Sequence, residues 1–366
     1  MRLLICAGGT GGGVYPALAV LRALGNEAEP VLWIGGEGGM ETELVQRENI
    51  PFTSIPAAGL HGVGLRAMPG NTLRLVRGYL RARQIVRQFK PDAMLFTGGY
   101  VGVPVAAAAG RVPTVLYTPD IEPGLALKAM AFFADRIAVS SEQSRGLYSH
   151  PGRVTVTGYP IRPELAGWTR ASGQRELGLN PDLPVILITG GSKGAVTLNA
   201  PIYPLLPAFL AQAQVIHLTG QTDWERNAEV QAGLSADLAG RYHAYPYLHE
   251  MGAALASADL GICRAGASTL GELPFFGLPA ILVPYPFAWQ YQKVNAAFLA
   301  GHGAAILMEQ STLPNRLLST VNGLLTDPQR LERMRTAMRS LANPNAAGQI
   351  GGLIRDIAAR QPGRRD

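Results

Sequence analysis

Twice in this chain a short apolar run empties into a cluster of glycines and then into residues with helical spacing. The first is Leu3–Ala7, followed by Gly8-Gly9-Thr10-Gly11-Gly12-Gly13 and the stretch 16–24. The second is Val185–Thr189, followed by Gly190-Gly191-Ser192-Lys193-Gly194. A strand that ends in glycines and turns into a helix opens a doubly wound parallel sheet, so two openings predict two α/β domains. Further apolar runs fit strands at 31–34, 93–97, 114–117 and 136–139, then at 214–218, 260–263, 280–283 and 304–307. Helical stretches lie between them, 74–89 being the clearest. A length of 366 residues suits two cores rather than one. Prolines at 160 and 163 bracket Arg162 and mark a linker. We therefore expect one domain over 1–162 and a second over 163–342, with a cleft where the carboxyl ends of both sheets meet. The stretch 343–360 has a helical pattern that suits packing on either domain, and the last six residues are expected to be disordered.

Composition narrows the partners. Apolar residues make up 47% and charged residues 16%, which excludes intrinsic disorder. A net charge of +6 and a pI near 9.4 favour an anionic partner: a nucleotide, a nucleic acid or a membrane surface. Cys6 and Cys263 are the only cysteines, which excludes a disulfide scaffold and a cysteine-based zinc site. The histidines (His61, His150, His217, His243, His249 and His302) show no H-x-x-x-H spacing. No Asp-x-Asp pair is present, and Asp120-Ile121-Glu122 is the nearest acidic cluster. A nucleotide diphosphate would then be neutralised by main-chain amides and cations, with no metal and no cofactor. The N-terminus has no signal-peptide pattern, and no segment reaches the roughly 18–20 apolar residues of a membrane span. A soluble, cytoplasmic protein is expected.

The glycine loops carry the chemistry. Gly8 to Gly13 fits neither the dinucleotide G-x-G-x-x-G, since position 14 is Val, nor a P-loop. Six small residues in a row favour close approach of a ligand over a simple tight turn. A third segment, Cys263-Arg264-Ala265-Gly266-Ala267-Ser268-Thr269-Leu270-Gly271-Glu272, again runs from a strand end into a helix start. Its amides and hydroxyls suit a diphosphate. Glu272 has two readings, a ribose contact or a capping-box partner of Thr269. Residues 49–91 contain no Asp or Glu but carry Arg66, Arg74, Arg77, Arg81, Arg83, Arg87 and Lys90 among apolar residues. For 81–90 an ordinary solvated helix face is expected. For 60–80, where Gly62, Gly64 and Pro69 are expected to break the helix, attachment to an anionic membrane surface is the better reading. Nucleic acid is disfavoured, because aromatics are not interleaved with these cations.

Taken in order, Gly8-Gly-Thr-Gly-Gly, Pro16-Ala-Leu-Ala, Thr97-Gly-Gly-Tyr100, Gly190-Gly-Ser-Lys-Gly, Cys263-Arg-Ala-Gly-Ala and Glu272 with Gly277-Leu-Pro279 resemble one family. With Gln292 and Asn295 they are similar to the MurG family of peptidoglycan glycosyltransferases, over nearly the whole chain. The resemblance implies a GT-B fold and transfer of N-acetylglucosamine from UDP-GlcNAc to undecaprenyl-diphospho-N-acetylmuramoyl-pentapeptide. It implies that Thr10, Gly11 and Gly12 face the donor and acceptor diphosphates, and that Arg162 and Ser192 contact donor phosphate. The Leu248 backbone would pair with uracil, Ala267, Ser268, Thr269, Leu270, Gly271 and Glu272 would take the diphosphate and ribose, and Gln292 the sugar hydroxyls. The first domain would face the acceptor and the inner membrane surface through residues near 60–80, placing the protein peripherally on the cytoplasmic side. The second would hold the UDP-sugar, and the 343–366 tail would return to the first.

The chain departs from the family pattern at three places. Gly13 stands where the glycine loop normally continues with His. Tyr117-Thr118-Pro119-Asp120 replaces His-Glu-Gln-Asn. Trp289 and Tyr291 stand where Asp and Gln are usual. Inverting transfer needs a base for the acceptor hydroxyl, so Asp120 is the first candidate, with Glu122 and His61 behind it. Asp120 is also counted among the substrate-binding positions. Two rival functions are another GT-B glycosyltransferase with a different acceptor, and an inactive homologue that binds UDP-sugar or lipid.

Overall fold

The computed structural model describes residues 1–8, 11–39, 41–59, 68–191, 194–286 and 291–360, with only the backbone at Met68. The chain divides into two compact units, Met1–Arg162 together with the tail from Asn343, and Pro163–Ala342. Both are built on parallel strands alone.

Among its described residues unit 1 carries seven strands: β1 (Leu3–Ala7), β2 (Val31–Gly36), β3 (Phe52–Ile55), β4 (Ala93–Gly98), β5 (Thr114–Thr118), β6 (Arg136–Val139) and β7 (Val154–Val156). Their order is β3-β2-β1-β4-β5-β6-β7. β1, β4 and β5 are buried at every residue, as continuous apolar runs between two helical layers must be. The helix Gly11–Leu24 follows β1, so Gly11, Gly12 and Gly13 are its first turn rather than the end of a loop. The helix Met68–Phe89 corrects a second expectation. Pro69 does not break it, because a proline in the first turn gives up only an N–H that has no intrahelical partner there. Gly62 and Gly64 lie outside the described residues. The tail helix Ala346–Ala359 buries Ile350, Ile354 and Ile357 and belongs to unit 1. A Cβ on Gly351 would sit 3.2 Å from the Leu24 side chain, and Arg355 pairs with Glu27 at 3.1 Å.

Among its described residues unit 2 carries six strands: β8 (Val185–Thr189), β9 (Gln214–Leu218), β10 (Tyr242–Tyr245), β11 (Leu260–Cys263), β12 (Ala280–Leu282) and β13 (Ala305–Leu307). The order β10-β9-β8-β11-β12-β13 repeats the doubly wound pattern. The helix Thr269–Phe276 follows β11 and ends at Gly277, whose φ of +62° gives the left-handed cap that glycine adopts without strain. Cys6 and Cys263 are both buried free thiols. No helix among the described residues is long and apolar enough to cross a membrane. The final six residues, 361–366, lie outside the described residues.

Candidate functional site

In unit 1 the winding reverses between β1 and β4, and in open α/β sheets that switch point leaves a crevice at the carboxyl edge. Two glycine turns meet there. Gly98 and Gly99 have φ of +135° and +86°, and a Cβ on Gly99 would stand 2.8 Å from the Gly8 carbonyl oxygen. Only glycine allows both the backbone angle and the approach. The Thr97 hydroxyl donates to the Gly13 carbonyl at 2.6 Å and ties the two segments together. Gly11 and Gly12 open the helix, in the turn whose N–H groups lack intrahelical acceptors and suit an anion. Thr10 lies outside the described residues. Gly11 also admits a ring: a Cβ there would be 2.8 Å from Tyr15. The Arg162 guanidinium lies over that same ring, 4.4 Å from its centroid. The structure thus brings Arg162 to the glycine turn although 151 positions separate it from Gly11 in the sequence.

Asp120 stands half-buried just past the end of β5, the strand beside β4. The turn that carries it is pinned from behind. Ser140 donates to the Pro119 carbonyl at 2.8 Å, so Tyr117 is the donor in its own 2.9 Å bond to Ser140. Burial, joined by the charge of Asp120, pushes the Tyr117 phenol well above its ordinary value. Thr118 is fully buried and shares a 2.5 Å hydrogen bond with Tyr148, whose phenol burial pushes up to about 12. Glu122 is half-buried on the loop ahead of the helix Leu125–Ala131. His61 lies outside the described residues.

In unit 2 the switch point falls between β8 and β11. The Gly190–Gly194 turn follows β8, and the 264–272 segment follows β11. The Arg264 N–H donates to the Thr189 carbonyl at 3.3 Å and joins the two exits. Gly194, at φ +71°, packs so closely on the next turn that a Cβ would stand 2.5 Å from the Thr219 carbonyl. Ser192 and Lys193 lie outside the described residues. Within 267–272 the amides are not equivalent. Those of Thr269, Leu270, Gly271 and Glu272 donate to carbonyls at 266–268, at 2.8–3.1 Å. Among the described residues, the N–H groups of Ala267 and Ser268 donate to no protein carbonyl.

The capping box expected at Thr269 does not form. Ser268 is the N-cap, without a side-chain cap bond, and the Thr269 hydroxyl donates to the Gly266 carbonyl at 2.6 Å. Glu272 is half-buried one turn in, and its charge adds to burial in pushing the Cys263 thiol up to about 12. The buried Asn295 amide donates to the Ala265 carbonyl at 3.1 Å and steadies the exit of β11. Gln292 accepts the Tyr285 N–H at 2.9 Å through Oε1. Leu248 is buried in the segment that follows β10. Among the described residues no group of three or more His, Cys, Asp or Glu is placed to hold a metal ion.

Comparison with known proteins gives this geometry a family. Residues 3–139 match the glycosyltransferase family 28 N-terminal domain, and 185–350 match the family's C-terminal domain. A transferase of Desulforudis audaxviator is 38% identical over 98% of this chain and 99% of its own length. It is named UDP-N-acetylglucosamine--N-acetylmuramyl-(pentapeptide) pyrophosphoryl-undecaprenol N-acetylglucosamine transferase. The protein of that name from Halalkalibacterium halodurans is 36% identical over 98% of this chain and all of its own. The chain belongs to the MurG family. The crystal structure of Acinetobacter baumannii MurG superposes with a TM-score of 0.76 at 30% identity, covering 97% of this chain and 99% of that one. Two doubly wound units in a GT-B fold are therefore the family's fold.

Against the MurG pattern, Gly13 is a removed side chain rather than a steric necessity. A Cβ there would meet nothing nearer than the Thr97 carbonyl at 3.4 Å, an ordinary contact. Thr118 points its hydroxyl into the buried bond with Tyr148, which engages it in the interior. Trp289 lies outside the described residues, and Tyr291 opens the helix Tyr291–Gly301. Sequence reasoning gave no role to Tyr15 or Glu41. The i, i+4 spacing of Gly11 and Tyr15 was the one available signal for the first. For Glu41 it was the unusual run Gly35-Gly36-Glu37-Gly38-Gly39 just ahead of it.

Proposed function

We propose that this chain catalyses the MurG reaction with Asp120 in place of the family's usual base. N-Acetylglucosamine passes from UDP-GlcNAc to undecaprenyl-diphospho-N-acetylmuramoyl-pentapeptide, converting lipid I to lipid II in peptidoglycan synthesis. The acceptor hydroxyl attacks the anomeric carbon with inversion, gives its proton to the Asp120 carboxylate, and UDP departs. Arg162, Ser192 and the Ala267 and Ser268 amides meet the donor phosphates, and their fixed dipoles stabilise the charge that develops on the leaving group. Glu272 accepts from ribose hydroxyls, the Leu248 backbone pairs with uracil, and the Gln292 amide donates to the sugar. Gly11, Gly12 and Thr10 face the donor and acceptor diphosphates. The observation that carries the assignment is the convergence of these segments on the switch point of their own sheet, with Asp120 one strand away from the glycine turns of unit 1.

The membrane surface is met by unit 1. Leu73, Val76 and Leu80 are 51%, 50% and 59% exposed on the helix Met68–Phe89, among Arg74, Arg77 and Arg81. Ile85 and Val86 on the opposite face are core residues. Apolar side chains turned to solvent among arginines suit a peripheral seat on the anionic cytoplasmic leaflet.

The deciding experiment is UDP release by purified protein given UDP-GlcNAc and a lipid-linked muramoyl-pentapeptide analogue. Asp120→Asn is expected to lower kcat by about 10²–10⁴-fold with UDP affinity retained. Near wild-type turnover in that variant removes Asp120 from the mechanism. The loss of both His at 13 and Glu at 118 favours one other reading, a UDP-sugar binder without turnover. It would show UDP binding and no UDP release with any acceptor.

A further inference from the structure

Glu41 is 2% exposed, and none of the roles assigned above uses it. It opens the helix Glu41–Arg47 after β2, yet its carboxylate reaches across to β1. A Cβ on Gly8 would stand 2.8 Å from Oε1, one on Gly35 would stand 3.0 Å from Cγ, and one on Gly39 would collide with both carboxylate oxygens. The Gly36 N–H donates to Oε1 at 2.8 Å. The charge is felt at the end of β1, where it joins burial in raising the Cys6 thiol. Gly8 and Gly39, beyond two strands, thus leave room for one buried carboxylate, while Gly35 makes room chiefly for the Phe52 ring, 2.6 Å from where its Cβ would stand.

Such an arrangement costs conformational freedom at each glycine and desolvation at the acid. A filler of the same shape would need neither, and would leave the Gly36 N–H unpaired. What the carboxylate does that a filler does not is fix the exit of β1 from the side opposite Gly99. Gly8 is held between Glu41, Val101 (3.0 Å from where a Gly8 Cβ would stand) and the Gly99 backbone. The Gly8 carbonyl in turn stands 3.5 Å from where a Gly13 Cβ would be, against the first helical turn that carries Gly11 and Gly12.

We infer that Glu41 is a positioning residue for the pyrophosphate-binding turn of unit 1, acting through Gly8. The inference rests on the proposal that this turn faces the acceptor pyrophosphate. It is tested with Glu41→Gln, Glu41→Asp and Thr10→Ala in the full-length protein. The readouts are acceptor KM, kcat, affinity for UDP alone and thermal midpoint. Glu41→Gln replaces one acceptor oxygen by a donor and is expected to raise acceptor KM about 10- to 100-fold, as small displacements of binding groups do. Glu41→Asp keeps the charge and is expected to recover part of that loss. UDP affinity, to which Ser192, Glu272 and the Ala267 and Ser268 amides of unit 2 also contribute, is expected to change less than acceptor KM. If Glu41→Gln leaves acceptor KM unchanged while Thr10→Ala raises it, the turn assignment stands and the positioning role is wrong. If neither variant changes acceptor KM, the assignment of the turn fails and takes the inference with it. If Glu41→Gln and Glu41→Asp lower the thermal midpoint while acceptor KM changes no more than UDP affinity does, Glu41 is only a packing residue and the inference is overturned.

Discussion

At single positions, the glycines were legible and their partners were not. A cluster such as Gly8–Gly13 announces close approach from its composition alone, because no other residue gives up so much for so little. What approaches it comes from far along the chain: Glu41 from the helix after β2, Gly99 from the turn after β4, Arg162 from the end of the unit. Spacing cannot reveal such pairs, since no local period links them. Gly99 offers a direct check. Its φ is +86° and a Cβ would press on the Gly8 carbonyl at 2.8 Å, against backbone that cannot swing aside as a side chain would. Gly99→Ala is expected to destabilise unit 1 by about 1–3 kcal/mol and to lower turnover further than stability alone explains. Denaturant unfolding beside steady-state kinetics measures both, and a variant with native stability and native turnover would show that the turns tolerate separation.

Among the secondary-structure elements, legibility followed depth in the sheet. β1, β4, β5, β8 and β11 are continuous apolar runs and were readable as strands. The strands that were not, β3, β7 and β10, all lie at a sheet edge and are only partly buried. Half-solvated strands need no apolar run, so their sequence carries less signal. The polar residues inside unit 2 were equally silent. Asn199 donates to the Thr219 carbonyl at 2.9 Å and to Asp223 at 2.8 Å, so its Oδ1 is an acceptor. His217, fully buried, sits with Nε2 3.1 Å from that oxygen and Nδ1 2.8 Å from the Tyr242 hydroxyl, which itself donates to Asn227 Oδ1. This group braces the Thr219–Gly220 turn on which the Gly194 loop packs. Burial pushes the imidazole down to about 3. The unfolded chain, near 6.5, therefore binds a proton the native state refuses between those two values. Stability contributed by His217 is full above about pH 6.5 and falls as pH drops toward 3, by up to about 1.4 kcal/mol per unit. Urea unfolding at pH 7 and pH 5 should show wild type losing about 2 kcal/mol more than His217→Gln over that interval. Parallel losses in the two proteins would mean that His217 titrates normally.

Across the whole chain, apolar spacing displayed two α/β units, while the return of the 343–366 tail to the first was implied only by the family resemblance. The 343–360 pattern fits any apolar groove. It is the row Ile350, Ile354 and Ile357, with Arg355 on Glu27, that commits it to unit 1. Asn343 re-enters by donating to the Thr157 carbonyl at 2.9 Å, so the chain returns to unit 1 beside the place it leaves. Unit 1 therefore encloses its sheet with helices from both ends of the chain, and the helix Met68–Phe89 is left with an apolar face in solvent. A surface of this composition has two separable contributions to membrane binding. Leu73, Val76 and Leu80 act by burial, which salt does not screen. Arg74 and Arg77 act by attraction to anionic lipid at about 1 kcal/mol each, over a Debye length of about 8 Å at physiological salt. Vesicle sedimentation separates them. Arg74→Gln with Arg77→Gln should lower partition into anionic vesicles by about 10-fold or more at low salt and have little effect at 1 M, where screening has removed the difference. Leu73→Ser, Val76→Ser and Leu80→Ser together should weaken partition at both salt concentrations, while turnover on a detergent-solubilised, short-chain acceptor stays near wild type. Equal partition of all three proteins at low salt would show that this helix is not the membrane-facing element, and the seat of unit 1 on the bilayer would have to be sought on another of its faces.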